Sequence, residues 1–257
     1  MKLEQRALRF PAGGNALVGI VDVPERPLIR GVLVLADSRQ YRTGSHRQFT
    51  LLARLLAGRG VAAMRFDRSG AGDSEGQASH DAGADLAAAM KEFFIHVPEM
   101  KESVILAAGD ATQAAALYAA SDPRVTGLAL FNPELPAAPA HEARPDAVAR
   151  TGAVLRTIRR FAPKVPQRHL TLLSAPHHPG RQAALPPALA GAFDAYDGHI
   201  LLVLGSADPA FQRTARLLQR RRAHCRRVEI AGADGGFSRS DWREAVAAAS
   251  TSWLTSW

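Results

Sequence analysis

The sequence predicts an α/β protein: a mostly parallel, doubly wound sheet preceded by a β-hairpin and interrupted by a helical cap insertion. Three observations carry that expectation. Short apolar runs alternate with stretches at helical spacing along most of the 257 residues. Residues 104–116, Val-Ile-Leu-Ala-Ala-Gly-Asp-Ala-Thr-Gln-Ala-Ala-Ala, read as a strand, a small-residue corner and a helix. Between residues 132 and 198 the strand signal stops and Pro recurs, while Val154, Leu155, Ile158 and Phe161 keep helical spacing. The chain is therefore expected to form a single domain, with the insertion at about 133–198.

Residues 10–23 read as two strands around the turn Ala12-Gly13-Gly14-Asn15. Residues 31–36 are continuously apolar, as a strand covered on both faces should be. A polar loop, 37–47, follows, and Phe49, Leu52, Leu55 and Leu56 then mark a helix over 48–57 with Ser45 as its expected N-cap. Residues 61–66 make the next buried strand. Its exit, 67–76, carries Gly70, Gly72 and Gly76 among Asp and Ser, so it must turn tightly. A helix over 82–96 leads into the 104–116 unit, and a strand at 125–131 closes this half. Beyond the insertion come a strand at 200–204, a helix at 211–222, a strand at 227–231 and a last helix. The stripe Trp242, Val246, Ala249, Trp253 and Trp257 on that helix reads as core packing, not a cofactor box.

Composition narrows the function. The hydrophobic content of 47% fits a globular core, and no apolar run approaches the ~20 residues that a membrane helix needs. The charged start, Lys2 to Arg6, has no apolar signal core, so a cytoplasmic location is expected. The one cysteine, Cys225, excludes an internal disulfide and lacks zinc-site spacing, and no metal or cofactor is expected. His177-His178 has no carboxylate or third His at ligand spacing. Net charge is +8, and all basic residues except Lys2, Lys91, Lys101 and Lys164 are Arg. Arg159-Arg160, Arg220-Arg221-Arg222 and Arg226-Arg227 form either a solvated face or a surface for anionic lipid or nucleic acid. No motif for sequence-specific nucleic-acid reading accompanies them.

Several stretches resemble one family. Gln40-Tyr41-Arg42, Gly44-Ser45-His46-Arg47-Gln48-Phe49, Phe66-Asp67, Gly70, Gly72-Asp73-Ser74-Glu75-Gly76, Asp122-Pro123-Arg124-Val125, Asn132-Pro133 and Ala231-Gly232-Ala233-Asp234 are similar to motifs of α/β-hydrolases. They most resemble the type 1 exosortase A system-associated hydrolases of bacteria that make exopolysaccharide and sort PEP-CTERM proteins. The resemblance implies an α/β-hydrolase fold, an acyl compound as ligand, and protein partners in exopolysaccharide or protein-sorting pathways.

It also implies places for a catalytic triad, and three of its parts are altered. The 104–116 unit stands where the family has its nucleophile elbow. One register puts Gly109 at the nucleophile position with Asp110 after it. The other makes Ala108-Gly109-Asp110-Ala111-Thr112 an elbow with Asp110 at its tip, as in haloalkane dehalogenases and epoxide hydrolases. The first needs no gap. Asp208 falls at the triad acid, or else caps a helix. The base should follow Asp234, and Gly235 stands there. In the oxyanion loop, Asp37, Ser38 and Arg39 replace small residues before Gln40, and a carboxylate there repels an oxyanion unless Arg39 neutralises it. Ser45 and His46, near Asp67, offer a relocated polar cluster, against ordinary roles as an N-cap and a loop anchor. The expectation is a degenerate hydrolase that binds. An active hydrolase of an ester, amide or thioester, using Asp110 or a relocated site, is the alternative.

Overall fold

The computed structural model describes residues 3–77, 82–135, 185–206, 209–219 and 225–257. Eight strands form one sheet: β1 (Leu3–Ala12), β2 (Asn15–Pro24), β3 (Arg30–Leu35), β4 (Ala63–Phe66), β5 (Glu102–Ala108), β6 (Val125–Phe131), β7 (His199–Gly205) and β8 (Cys225–Ile230). Their order is β1-β2-β4-β3-β5-β6-β7-β8. From β4 to β8 all pairings are parallel, and β2 runs antiparallel to both β1 and β4. The α-helices among the described residues are α1 (Gln48–Ala57), α2 (Gly83–His96), α3 (Ala111–Ala119), α4 (Pro187–Ala195), α5 (Pro209–Gln219) and α6 (Ser240–Leu254).

The expected doubly wound sheet is present, and its strands follow from period-2 burial. Val32 and Val34 of β3, Val104 and Leu106 of β5, and Leu201 and Val203 of β7 pack in one cluster with Phe49, Leu52 and Leu56 of α1 and Val246 and Trp253 of α6. The alternate residues Leu33, Ile105, Leu128 and Leu202 are equally buried, which is why these strands read as unbroken apolar runs. Helix α3 packs against both α2 and α4.

The hairpin turn is the two-residue loop Gly13-Gly14, with φ of 56° and 89°, values that L side chains rarely adopt. Strand β1 starts at Leu3, seven residues before the start that the apolar pattern predicts. Its first residues are polar and largely exposed, so it is held by pairing to β2 and not by an apolar face. Beneath it, Arg65 of β4 and Asp22 of β2 form a buried pair at 3.4 Å, and Gln5 donates to Asp22 at 2.7 Å.

Helix α4 lies within the span assigned to the insertion, yet it belongs to the compact unit made of Met1–Pro136 and Pro187–Trp257. Of the rest of that span, 136–184 lies outside the described residues, and with it His177-His178 and Arg159-Arg160. Among the described residues, no helix is long and apolar enough to cross a membrane.

Candidate functional site

The loops at the carboxyl ends of β3, β5, β6, β7 and β8 meet over the middle of the sheet. Parallel strands with their following helices leave a crevice there, the usual place for a ligand in such sheets. At its centre is the corner between β5 and α3. Gly109 takes the left-handed conformation, φ 55°, and its N–H donates to Phe131 O at 3.0 Å. Asp110 is right-handed, φ −70°, and opens α3. The residue lifted at the corner is Gly109.

Asp37 lies directly over it. A Cβ built on Gly109 would collide with Oδ2 of Asp37, so this carboxylate fills the volume that any larger residue at 109 would need. The Asp37 side chain is 4% exposed and accepts from the Arg39 backbone N–H (2.9 Å), Arg39 Nε (2.8 Å) and Arg39 Nη2 (2.9 Å). It also accepts from the backbone N–H of Asp110 at 3.4 Å. Burial pushes its pKa up, but the bonds to Arg39 outweigh burial and hold it below the usual carboxylate range. Arg39 thus neutralises Asp37, as the sequence required, and reaches Glu134 Oε1 at 3.2 Å as well.

Asp110 points elsewhere. Its Oδ1 accepts the Ser38 backbone N–H at 2.9 Å and its Oδ2 accepts the Ser38 hydroxyl. The side chain is exposed and does not line the cavity above Gly109. Two backbone N–H groups at this corner, those of Ser38 and Asp110, therefore already serve carboxylates of the chain itself.

The cavity has a volume of about 210 Å³, and Gly109 and Gly235 line it together with Asp37, Arg39 and Asn132. The two glycines that the sequence resemblance assigns to altered triad positions thus face one space. A Cβ on Gly235 would lie 3.4 Å from the Phe211 ring, so an aromatic side chain closes that side. Asp234 does not face inward; it caps its own loop through the N–H groups of Gly236 (3.0 Å) and Ser238 (3.1 Å) and the Ser238 hydroxyl (2.5 Å). Burial raises its pKa, and those bonds, with the nearby His46, lower it further than burial raises it. Three of the nine histidines, His46, His96 and His199, are described, and none lines the cavity. Asp208 and Arg220-Arg221-Arg222 lie outside the described residues; Arg227 donates to Gln212, Gln219 and Glu229 within the fold.

The expectation for Ser45 is corrected. The N-cap of α1 is Arg47, left-handed at φ 58° and without a side-chain cap, and His46 before it is left-handed too, at φ 51°. These two residues delay the helix to Gln48, too far for Ser45 to cap it. The Thr43 carbonyl takes the Phe49 N–H instead (3.0 Å), and Gln40 Oε1 accepts from Ser45 N–H (3.1 Å) and Gln48 Nε2 (3.3 Å). Ser45 and His46 are exposed, and Ser45 also reaches the cavity edge. Asp67 joins neither: it accepts from the Arg42 N–H (2.6 Å), the Arg42 guanidinium and the Asp73 N–H (3.0 Å), tying the 37–47 loop to the 67–76 loop.

Asn132 has a role at the site that the sequence pattern does not assign. It is buried and left-handed at φ 43°, donates to Gly235 O at 3.0 Å and accepts from Gly205 N–H at 2.7 Å. It thereby ties the ends of β6 and β7 to the Gly235 loop. Asn tolerates this conformation best among non-glycine residues, so Asn-Pro after a buried strand was the available signal. Among the described residues no group of three or more His, Cys, Asp or Glu is placed to hold a metal.

No protein-family profile and no curated protein sequence matches the chain. Solved structures do match. An esterase from Pyrococcus furiosus aligns with a TM-score of 0.67 at 13% identity, over 99% of this chain and 92% of that one. A dienelactone hydrolase from Anabaena variabilis aligns at 0.64 and 18% identity, over 99% and 98%. Est1E from Butyrivibrio proteoclasticus, solved with ferulic acid bound, aligns at 0.66 and 15% identity, over 96% and 98%. Strand order, corner and neighbours together define the class: this chain has the α/β-hydrolase fold. At these identities the likeness extends to the fold and no further.

Proposed function

We propose that this protein is a hydrolase-fold binding protein whose acyl-transfer site is occupied by its own side chains. The observation that carries the reading is Asp37: one carboxylate takes the volume of a side chain at position 109 and the N–H of the residue after it. In an acyl-transfer enzyme those are the places of the nucleophile and of an oxyanion donor. Gly109 and Gly235 then stand at the nucleophile and base positions, and loss of such groups costs orders of magnitude in rate. The motifs that resemble the exosortase A system-associated hydrolases support a role beside that family. It would act in the cytoplasm on a small ligand or a protein partner of exopolysaccharide production or protein sorting.

An active hydrolase using Asp110 is disfavoured by that side chain's bonds to Ser38 and its place off the cavity. The test is hydrolysis of p-nitrophenyl acetate and butyrate. No saturable turnover is expected. Turnover that disappears in both Asp110→Asn and Asp208→Asn would overturn the reading.

A further inference from the structure

Resting on that reading, we propose that the cavity above Gly109 binds a small organic cation, a guanidinium or primary ammonium on a short aliphatic chain, and that Arg39 is its intramolecular surrogate.

The polar groups of the cavity select charge. An anionic ligand would meet the Asp37 carboxylate where a hydrolase offers donors, and the N–H groups of Ser38 and Asp110 are already engaged. Two carboxylates, Asp37 and Glu134, line the cavity, and Arg39 is the one cation among the described lining residues. When Arg39 swings out, both carboxylates are left to a ligand.

The placement of Arg39 makes that exchange feasible. Its guanidinium sits between Asp37, 2.8 Å away, and Glu134, at 3.2 Å, which is how a ligand guanidinium would be gripped. Yet its side chain is 69% exposed while that of Asp37 is 4% exposed, so the anion is fixed in the fold and its counter-ion is not. Water can take Arg39 without opening the core. Behind the charged rim, Phe131, Phe211 and Phe237 give an apolar wall, and about 210 Å³ is below the ~300–1,000 Å³ of drug-sized pockets, which limits the chain to a few carbons.

The experiment titrates the full-length protein with butylguanidinium, butylamine and butyrate at matched ionic strength and neutral pH, read by calorimetry and by thermal midpoint. Both cations should bind saturably and raise the midpoint, and butyrate should do neither. Arg39→Ala should bind butylguanidinium about tenfold more tightly, as expected if the surrogate occupies the site about nine-tenths of the time. Asp37→Asn should lose binding. Should Asp37→Asn not fold, Glu134→Gln, exposed and off the core, should weaken binding several-fold. Absence of saturable cation binding in both wild type and Arg39→Ala overturns the proposal, as does equal affinity in the two or undiminished binding in the carboxylate variants. If cations fail to bind and esters are not turned over, the assignment of ligand charge falls and the filled-site reading stands; butyrate binding or ester turnover overturns the filled-site reading itself.

Discussion

Two buried aspartates stand at the carboxyl edge of the same sheet, each gripped by an arginine from the 37–47 loop. The Asp67 side chain is 0% exposed, and its partner Arg42 is only 16% exposed and is clasped by Asp73 as well. Asp37 is nearly as buried, but its partner Arg39 lies mostly in water. The difference separates a structural ion pair from an exchangeable one. With Arg42, both charges left water on folding, so neither can be spared. With Arg39, the aspartate bears the cost of burial and the arginine keeps its freedom to leave.

Removing each arginine should expose that contrast. Arg42→Ala strands Asp67 in the core and is expected to cost about 3–5 kcal/mol in urea denaturation. Arg39→Ala should cost about 1 kcal/mol or less, because water reaches the vacated place. Equal losses would dissolve the distinction between the two pairs.

A smaller effect should appear in acid. The folded pKa of Asp37 lies below its ordinary value of ~3.9, so the unfolded chain takes up the proton first and stability rises with pH through that window. The stability difference between wild type and Asp37→Asn should be constant above about pH 5 and shrink as pH falls through the lowered value. A difference that grows on acidification would mean that Asp37 is protonated more readily in the fold than out of it.

Legibility in the sequence followed burial. Strand β6 and helix α1 fall where the apolar pattern puts them, because a strand covered on both faces and a helix with one buried stripe leave period signals. The first residues of β1 left none, since an edge strand is held by backbone pairing. The sequence also showed that Asp37 needed Arg39, because the two are neighbours in the chain. It left open whether Gly109 or Asp110 stands at the corner, and the left-handed backbone of Gly109 marks the corner residue. That Asp37 occupies the side-chain space of Gly109 is a contact between loops 73 residues apart at the Asp110 bond, and no local pattern encodes it. The hydrogen bonds of Asn132 to two other loops were hidden for the same reason.

The filling of position 109 by Asp37 is tested most directly by a double-mutant cycle, with unfolding free energies measured for wild type, Gly109→Ser, Asp37→Gly and the pair. A side chain at a left-handed position costs ~1–2 kcal/mol wherever it is introduced, so that strain cancels in the cycle. The collision with Asp37, ~1–3 kcal/mol for overpacking, does not cancel. Gly109→Ser should therefore be at least about 1 kcal/mol less harmful in the Asp37→Gly background than in wild type. Additive losses would contradict the account, because they would mean that the carboxylate and the residue at 109 do not compete for one space.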